Sequence, residues 1–442
     1  MQTHGSRSTT PKTEVIAGIT TFLTMSYILF VQPAVLSTDF TGKPTGLDFG
    51  AVLLATCVVS GAATIAMGLW AKYPIALAPG MGENFFFVSV IMTLAAAGVP
   101  EPWRVALGIV FVSGVIFLAL SVMGVREAVL DSISPSMRNA IAAGIGLFVA
   151  FIGLRNGGLI VPHPGTLVTL APNLLSADVG VFAVGLVTAA VLHIRGVRGA
   201  ILIGIVAAAI VAAALGKIQY AGVFGFPQVA TPAAFRFDLA TAISPRWLPF
   251  VAVFLFMNVF DTIGSVVGVT QQAGLIRDGK LPRAERVLVV DAAGTVAGAA
   301  LGTSTIVAYI ESAAGVSAGG RTGLTAIVAG CLFFVALLFS PLIGMIGNYL
   351  PITAPALIIV GAMMMSNASR IEWEDASESI PSFLTLVGIP LAYSIADGLA
   401  LGFISYPVLK ALTGRGREIG KMSYAIAALL VFYFVFIRAG LT

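Results

Sequence analysis

The sequence predicts an all-α polytopic membrane protein with fourteen transmembrane segments, arranged as a 7+7 inverted repeat. The first observation behind this prediction is the composition. Of the 442 residues, 58% are hydrophobic and 10% are charged, and the mean hydropathy is +1.00. Soluble domains have roughly 45–50% apolar and about 25% charged residues. The composition therefore excludes a soluble enzyme, a nucleic-acid-binding protein and a disordered chain.

The second observation is the series of long apolar stretches. A transmembrane helix needs about 20 consecutive, mostly apolar residues. The fourteen predicted segments are 14–36, 50–70, 74–92, 102–123, 138–155, 178–194, 199–216, 247–268, 286–302, 304–318, 322–341, 352–366, 381–395 and 397–411. A further apolar stretch, 422–438, fits either an extra span or a helix at the membrane surface, and the sequence leaves both open.

The third observation is a polar linker, 217–246, which is rich in Pro and aromatic residues and has seven predicted segments on each side. An odd number of segments gives the two halves opposite orientations, which defines an inverted-topology repeat. Residues 58–64 also resemble residues 289–295. Helices rich in small residues often look alike, so the parity of the segments is the stronger argument.

The basic residues indicate the orientation in the membrane. If residues 1–13 form a cytoplasmic tail, most of the 24 Lys and Arg residues fall in inner loops. Cytoplasmic loops of membrane proteins carry such an excess of basic residues. We therefore expect a multi-pass protein of the cytoplasmic membrane with its N-terminus inside.

Segments three and ten are interrupted. Segment three contains Pro79 between apolar residues and two glycines, and Pro disrupts a helix because it lacks a backbone donor and clashes with the preceding turn. Segment ten is short and opens with Thr303, Ser304 and Thr305. We expect a short extended stretch and a half-helix in each. Interrupted segments at matching positions of two halves indicate a transport site near the membrane midplane.

Ionisable residues inside predicted segments are the main functional candidates. Each such charge costs roughly 2.5–3.5 kcal/mol or more at the bilayer centre. Asp261 and Glu311 lack a basic partner nearby in sequence, which favours a role as substrate or proton site. Asn258 precedes Asp261 by three residues, and this spacing predicts a shared helix face. Glu83, at the break of segment three, fits either a polar cavity or a cap of the broken helix.

Several other polar residues fit structural roles. Asp291 and Asp397 fit pairing or turn positions, and the acidic stretch 372–378 fits a solvated helix. Cys57 and Cys331 lie in apolar stretches, where cysteine behaves as a small hydrophobe. The sequence shows no metal motif, phosphate-binding loop or catalytic motif, so we expect no cofactor, no metal and no enzymatic activity.

Several stretches of the sequence contain recognisable motifs, at 13–31, 73–82, 260–264, 302–305, 309–316 with 318–324, and 393–398. Together they resemble the AzgA-type hypoxanthine/adenine/guanine permeases of the nucleobase–ascorbate transporter superfamily. The resemblance covers nearly the whole chain, and the tenth-segment motif is highly specific.

This resemblance implies a core domain of segments 1–4 and 8–11 and a gate domain of segments 5–7 and 12–14. It also implies import of a purine nucleobase with protons across the lipid bilayer, by an elevator-like movement of the core. A homodimer joined through the gate domains is a further implication. The corresponding ranges are 14–123 and 247–341 for the core, and 124–216 and 342–442 for the gate.

The resemblance also carries over to individual residues. The family's tenth-segment acid falls on Glu311, its third-segment Asn on Asn84 and an eighth-segment acid on Asp261. Asn258 departs from the Asp of many relatives and cannot bind or release a proton. Glu83 is unusual at its position, so we expect that it has replaced the missing acid.

The candidate site residues form two sets. The predicted substrate-binding residues are Glu311, Asn84, Asn258, Thr262 and Ser312. The residues predicted to couple protons or to support the binding residues are Asp261 and Glu83.

An alternative within the same fold is a uracil/xanthine-type nucleobase carrier. Glu311 is followed by Ser312 and not by the Asn of that branch's signature, which disfavours the alternative. A membrane enzyme or a receptor is disfavoured because the sequence contains no catalytic motif and no apparent soluble domain.

Overall fold

The computed structural model describes residues 9–123, 134–275, 281–432 and 434–435, and these residues are predominantly helical. Within the described ranges, eight helices are long and apolar enough to cross a membrane. They are Pro11–Ser37, Phe49–Ala71, Pro102–Met123, Pro135–Asn156, Ala177–Ile194, Leu248–Gln272, Leu350–Arg370 and Ile395–Leu412. Three regions named in the sequence analysis lie outside the described residues. They are the end of the stretch 422–438 and the loops 124–133 and 276–280, whose basic residues indicated the orientation.

Helices or strand–helix pairs cover each of the predicted segments. In the first half the helices are α1 (Pro11–Met25), α2 (Ile28–Ser37), α3 (Phe49–Ala66), α4 (Met81–Ala96), α5 (Pro102–Met123), α6 (Pro135–Asn156), α7 (Ala177–Ile194) and α8 (Ala200–Ala214). In the second half they are α9 (Leu239–Ala242), α10 (Leu248–Gln272), α11 (Ala284–Leu301), α12 (Ser312–Ser317), α13 (Gly323–Ala336), α14 (Ser340–Gly347), α15 (Leu350–Met365), α16 (Ala376–Leu391), α17 (Ile395–Leu412) and α18 (Lys421–Phe432). The strands are β1 (Leu77–Pro79), β2 (Ile160–His163), β3 (Leu167–Leu170) and β4 (Ile306–Ala308).

Short polar side chains begin several of these helices. Asp48, Ser134 and Ser176 each accept a hydrogen bond from the backbone N–H three residues later, at the starts of α3, α6 and α7. Such caps satisfy N–H groups that have no partner within the helix. Strands β2 and β3 form an antiparallel hairpin between α6 and α7, which the sequence analysis did not predict.

Strands β1 and β4 pair with each other where segments three and ten are interrupted. The pairing is antiparallel, and Ala78 lies opposite Val307. Backbone hydrogen bonds from Gly80 N to Thr305 O (3.1 Å) and from Tyr309 N to Ala76 O (3.0 Å) extend the pair at its ends. The half-helices α4 and α12 follow the two strands. The pairing satisfies backbone groups that would otherwise be exposed inside the membrane.

The outer edges of this strand pair are bound by two threonines. Thr64 of α3 donates to the carbonyl of Leu77 (3.0 Å) and accepts from its N–H (2.9 Å). Thr295 of α11 donates to the carbonyl of Ile306 (2.9 Å) and accepts from its N–H (3.1 Å). The two threonines end the similar stretches 58–64 and 289–295, so that similarity corresponds to equivalent contacts in the two halves.

The helices pack into two groups. The first helix group contains α1–α5 and α10–α13, in which α11 packs on α5 and α13 packs on α1 and α3. The second helix group contains α6–α8 and α15–α17, in which α15 packs on α6 and α16 packs on α6 and α17. Glycines allow the close approach within each group. A Cβ at Gly361 of α15 would lie 2.5 Å from the carbonyl oxygen of Gly146 in α6.

Candidate substrate site

Glu311 lies at the turn between β4 and α12, and α12 begins at the next residue. Its Oε1 accepts a hydrogen bond from the hydroxyl of Tyr27 at 2.8 Å. Tyr27 is 1% exposed and lies at the break between α1 and α2. Two interruptions of regular helix, one in the first segment and one in the tenth, therefore meet at the Glu311 carboxylate.

One face of α10 borders an open space beside this turn. The Asp261 side chain is exposed and makes no hydrogen bond to the part of the chain that the structure describes. One turn away, a Cβ at Gly264 would meet no atom within 4 Å. Ile310, next to Glu311, is 43% exposed, and its Cδ1 would lie 3.0 Å from a Cβ at Gly268. Asp261, Gly264 and Ile310 thus line an open space halfway along a membrane-crossing helix.

Four carboxyl groups lie close enough to interact electrostatically. Asp261 interacts with Glu83, Glu311 and Asp291. Among the described residues, no Lys or Arg forms an ion pair with any of the four, and no three His, Cys, Asp or Glu side chains could hold a metal ion. Acids without a basic partner are costly inside a membrane. Protons or hydrogen-bond donors on a ligand would reduce that cost.

Glu83 lies in the first turn of α4 and is 2% exposed. Its carboxylate lies against Gly80, the residue just before α4, because a Cβ at Gly80 would overlap Glu83 Oε2. A negative charge is favourable at a helix N-terminus, where the helix dipole is positive. This placement favours the capping interpretation of Glu83 that the sequence left open.

Asn84 is fully buried and lies in a polar network beneath the strand pair. Its Oδ1 accepts a hydrogen bond from the hydroxyl of Ser304. Gln32 of α2 donates to Ser304 Oγ (3.2 Å) and Thr303 Oγ1 (3.0 Å). The network joins α2, α4 and the chain that enters β4, so Asn84 supports the site without facing the open space in this conformation.

Asn258 and Thr262 lie on the face of α10 that packs against α11. The Asn258 amide donates to Thr295 Oγ1, and the Thr262 hydroxyl donates to Asp291 Oδ2, both at 2.8 Å. Both side chains are fully buried. The predicted shared face of Asn258 and Asp261 is therefore wrong. Residues three apart differ by about 60° around a helix of 3.6 residues per turn, and here that angle separates the buried face from the open one.

Ser312 is also fully buried, and its Oγ accepts a hydrogen bond from the N–H of Ala76 at 3.0 Å. The contact satisfies the backbone just before β1. Of the seven residues predicted for the site, Asp261 borders the open space, and the partly exposed Glu311 directly follows Ile310, which also borders it. The other five lie within the scaffold that holds the two strands and two half-helices.

Sequence reasoning missed Tyr27, Thr295 and the support that Asp291 gives to Thr262. The match between 58–64 and 289–295 contained a signal for Thr295, because it aligned this residue with Thr64. Tyr27 gave no signal of its own, since its partner Glu311 lies 284 positions later in the chain.

Paired half-helices and membrane acids that form no ion pair within the described residues are typical of a transporter-like membrane protein. Comparisons with known proteins identify its family. Residues 12–401 match the model Xan_ur_permease, described as a permease family. The adenine permease AdeP of Escherichia coli K12 is 42% identical over 99% of this chain and 95% of its own length. The guanine/hypoxanthine permease PbuG of Bacillus subtilis 168 is 41% identical over 97% of this chain and 98% of its own. The chain belongs to this permease family, which confirms the resemblance to purine permeases.

A solved structure supports the fold. The transmembrane domain of the cyanobacterial bicarbonate transporter BicA matches with a TM-score of 0.64, over 88% of this chain and 97% of that domain. The sequence identity is 15%, so the likeness concerns the fold alone.

Proposed function

We propose that this protein is a secondary active transporter that imports purine nucleobases, namely hypoxanthine, guanine or adenine, with protons. The observation that carries the proposal is the Glu311 carboxylate, which is held by Tyr27 at a strand–helix break and lies beside the open face of α10. The purine permeases among the relatives support the same substrate class.

The chemistry of the site suits a purine. Ring N–H and exocyclic amino groups are hydrogen-bond donors, and an ionised carboxylate has two acceptor oxygens. Hydrogen bonds to a charged group are also stronger than neutral ones. Gly264 leaves open space on this face of α10 because it has no side chain. A planar base that donates to Glu311 would lie against this part of α10.

Asp261 is the residue that we assign to proton coupling. It is exposed to the same space as the substrate and interacts electrostatically with Glu311. A proton on Asp261 would remove the repulsion between the two carboxylates. Glu83, Asn84, Asn258, Thr262 and Ser312 then act by holding the half-helices and strands in place around the site.

We assign the first helix group to a moving core and the second to a gate, with fourteen spans in the cytoplasmic membrane and the N-terminus inside. The packing of the two groups supports this division. They meet through a cluster of aromatic rings. The Phe40 ring, next to α2, lies 5.4 Å from the Tyr393 ring and 5.5 Å from the Phe148 ring, both of the second group. A homodimer joined through the gate remains part of the proposal.

Uptake into proteoliposomes tests the function. We expect saturable uptake of labelled hypoxanthine that increases when the outside is made more acidic than the inside. Unlabelled adenine or guanine should compete, and uracil should not. Transport of uracil or xanthine in place of hypoxanthine, adenine and guanine would support the alternative carrier. Hypoxanthine uptake that is independent of the pH gradient would contradict proton coupling. The lack of any nucleobase uptake would contradict the proposal as a whole.

A further inference from the structure

Tyr27 is a buried tyrosine whose hydroxyl reaches a membrane carboxylate. Its ring is almost fully enclosed in the first helix group, and its hydroxyl donates to Glu311 Oε1 at 2.8 Å. Ser26 and Tyr27 form the turn between α1 and α2, which aims the side chain at the start of α12. A buried hydroxyl usually finds a hydrogen-bond partner, and here the partner is the acid at the centre of the proposed site.

We propose that Tyr27 is a positioning residue for substrate recognition, which holds the Glu311 carboxylate in the orientation that accepts hydrogen bonds from the nucleobase. The inference rests on the proposed function and extends it to a residue outside the predicted site. Tyr27 acts through Glu311 and does not itself contact the base.

The need for such a residue follows from the glutamate side chain. Glu has three rotatable side-chain bonds, and ordering a long polar side chain costs free energy. In the described part of the chain, the Tyr27 hydroxyl is the one side-chain group that donates to the Glu311 carboxylate. With Oε1 held, Oε2 has a defined direction. A ligand then finds the acceptor already oriented and pays less of the ordering cost.

A second tyrosine close to Glu311 has a different hydrogen-bond partner. The Tyr309 hydroxyl, two residues before Glu311, donates to the carbonyl of Pro79 at 2.6 Å. That bond joins the end of β1 to the end of β4. Tyr309 thus fixes the backbone of the strand pair, whereas Tyr27 fixes the side chain that follows it.

The consequence is a dependence on the ligand's donors. In this proposal the base donates its N1–H to Glu311. If Tyr27 orients the acceptor, its hydroxyl matters most for ligands that keep this hydrogen. A ligand in which a methyl group replaces that hydrogen makes no such bond and gains little from the orientation. A hydroxyl that only stabilised the fold would affect both ligands equally.

The test uses the purified full-length chain and equilibrium binding of two ligands, hypoxanthine and 1-methylhypoxanthine. We expect Tyr27→Phe to weaken hypoxanthine binding by about tenfold, on the scale of one charged hydrogen bond, and to change 1-methylhypoxanthine binding much less. Tyr73→Phe is the matched control. Tyr73 is equally buried, but its hydroxyl donates to the carbonyl of Pro282, so both ligands should keep their wild-type ratio.

A second measurement needs no ligand. Thermal unfolding of the unliganded protein is compared for Tyr27→Phe in the wild-type background and in the Glu311→Leu background. The effect of Tyr27→Phe should largely disappear when Glu311 is absent, whereas the effect of Tyr73→Phe should persist.

The outcomes separate this inference from the proposed function. Equal weakening of both ligands, or an unfolding effect of Tyr27→Phe that is independent of Glu311, would overturn the role of Tyr27 while leaving purine transport in place. If the wild-type protein binds neither ligand, the proposed function fails and the role in recognition fails with it.

Discussion

The guanidinium of Arg155 donates a hydrogen bond to the hydroxyl of Tyr393 at 2.6 Å and lies 5.9 Å from the centre of its ring. Arg155 also donates to the backbone carbonyl of Phe40. Since Arg155 and Tyr393 belong to the second helix group and Phe40 to the first, this contact joins the two groups. It lies beside a cavity of ≈ 240 Å³ lined by Ala34 and other residues of α2, α6 and α15.

We therefore expect Arg155→Ala to loosen the contact between the two groups. A cysteine placed at Ala34, in a background without Cys57 and Cys331, should then react faster with a membrane-impermeant maleimide. Arg104→Ala is the control, because Arg104 forms an exposed salt bridge with Glu101 and surface pairs contribute about 0–1 kcal/mol. An unchanged labelling rate in Arg155→Ala would show that this contact does not close the cavity.

Glu311→Gln should weaken hypoxanthine binding by roughly 1.5–3 kcal/mol, the scale of a hydrogen bond to a charged group. Gln keeps the size of Glu but replaces one acceptor oxygen with a donor. Calorimetry or scintillation-proximity binding on purified protein measures the effect. Glu374→Gln, at an exposed position outside the helices, should bind normally. Wild-type affinity in Glu311→Gln would rule out direct recognition by this carboxylate.

Asp261→Asn should retain measurable purine binding and lose proton-driven accumulation, because Asn cannot bind or release a proton. Binding and uptake are measured on the same preparation. Asp48→Asn is a suitable control, since Asn can also cap the helix that Asp48 begins. A parallel fall of binding and uptake by the same factor would instead make Asp261 a direct ligand.

Glu83→Gln should leave proton-driven uptake largely intact and reduce stability by about 0.3–1 kcal/mol, the usual value of a charge at a helix N-terminus. The reason is the position of the carboxylate against Gly80 at the start of α4. Proton-driven uptake and thermal unfolding of Glu83→Gln together distinguish a helix cap from a proton-coupling residue. Loss of accumulation with unchanged stability would assign Glu83 to proton coupling after all.

Asp375 predicts a pH dependence of stability outside the membrane segments. The Ser377 hydroxyl and the Arg415 guanidinium hold the pKa of this carboxyl below its usual 3.8. A carboxyl whose pKa is lowered in the folded state stabilises that state above its unfolded pKa, and this contribution is lost as the pH falls below it. Asp375→Asn should therefore lower the unfolding midpoint at pH 7 and flatten its decline between about pH 5 and pH 3. If the unfolding midpoint of Asp375→Asn declines with falling pH as in the wild type, Asp375 does not contribute to the pH dependence of stability.

The sequence was most informative about the segments and the interruptions. Apolar length located the helices, and Pro79 with its neighbouring glycines located the break that β1 and α4 occupy. These features depend on local chemistry, which a single stretch of sequence contains. The number of spans, their orientation and the roles of the two helix groups remain predictions.

The directions of individual side chains were the least predictable part. Asn258, Thr262 and Ser312 are polar residues in the right segments, yet each bonds to a neighbouring element and faces away from the open space. Helical spacing gives the angle between two residues around the helix axis. It does not show which of the two residues faces the neighbouring helix. The direction of the Asn258 side chain depends on its hydrogen-bond partner Thr295, which lies 37 positions away in the chain.

The pairing of β1 with β4 also constrains how the protein is made. Pro79 and Tyr309, which are hydrogen-bonded at the ends of these strands, are 230 positions apart in the sequence. During synthesis β1 enters the membrane long before its partner exists, and unpaired backbone groups there cost several kcal/mol each. Thr64 satisfies only the outer edge of β1 in the meantime. Because β1 pairs with β4, the strand pair in the third segment is complete only when residues of the tenth segment are in place.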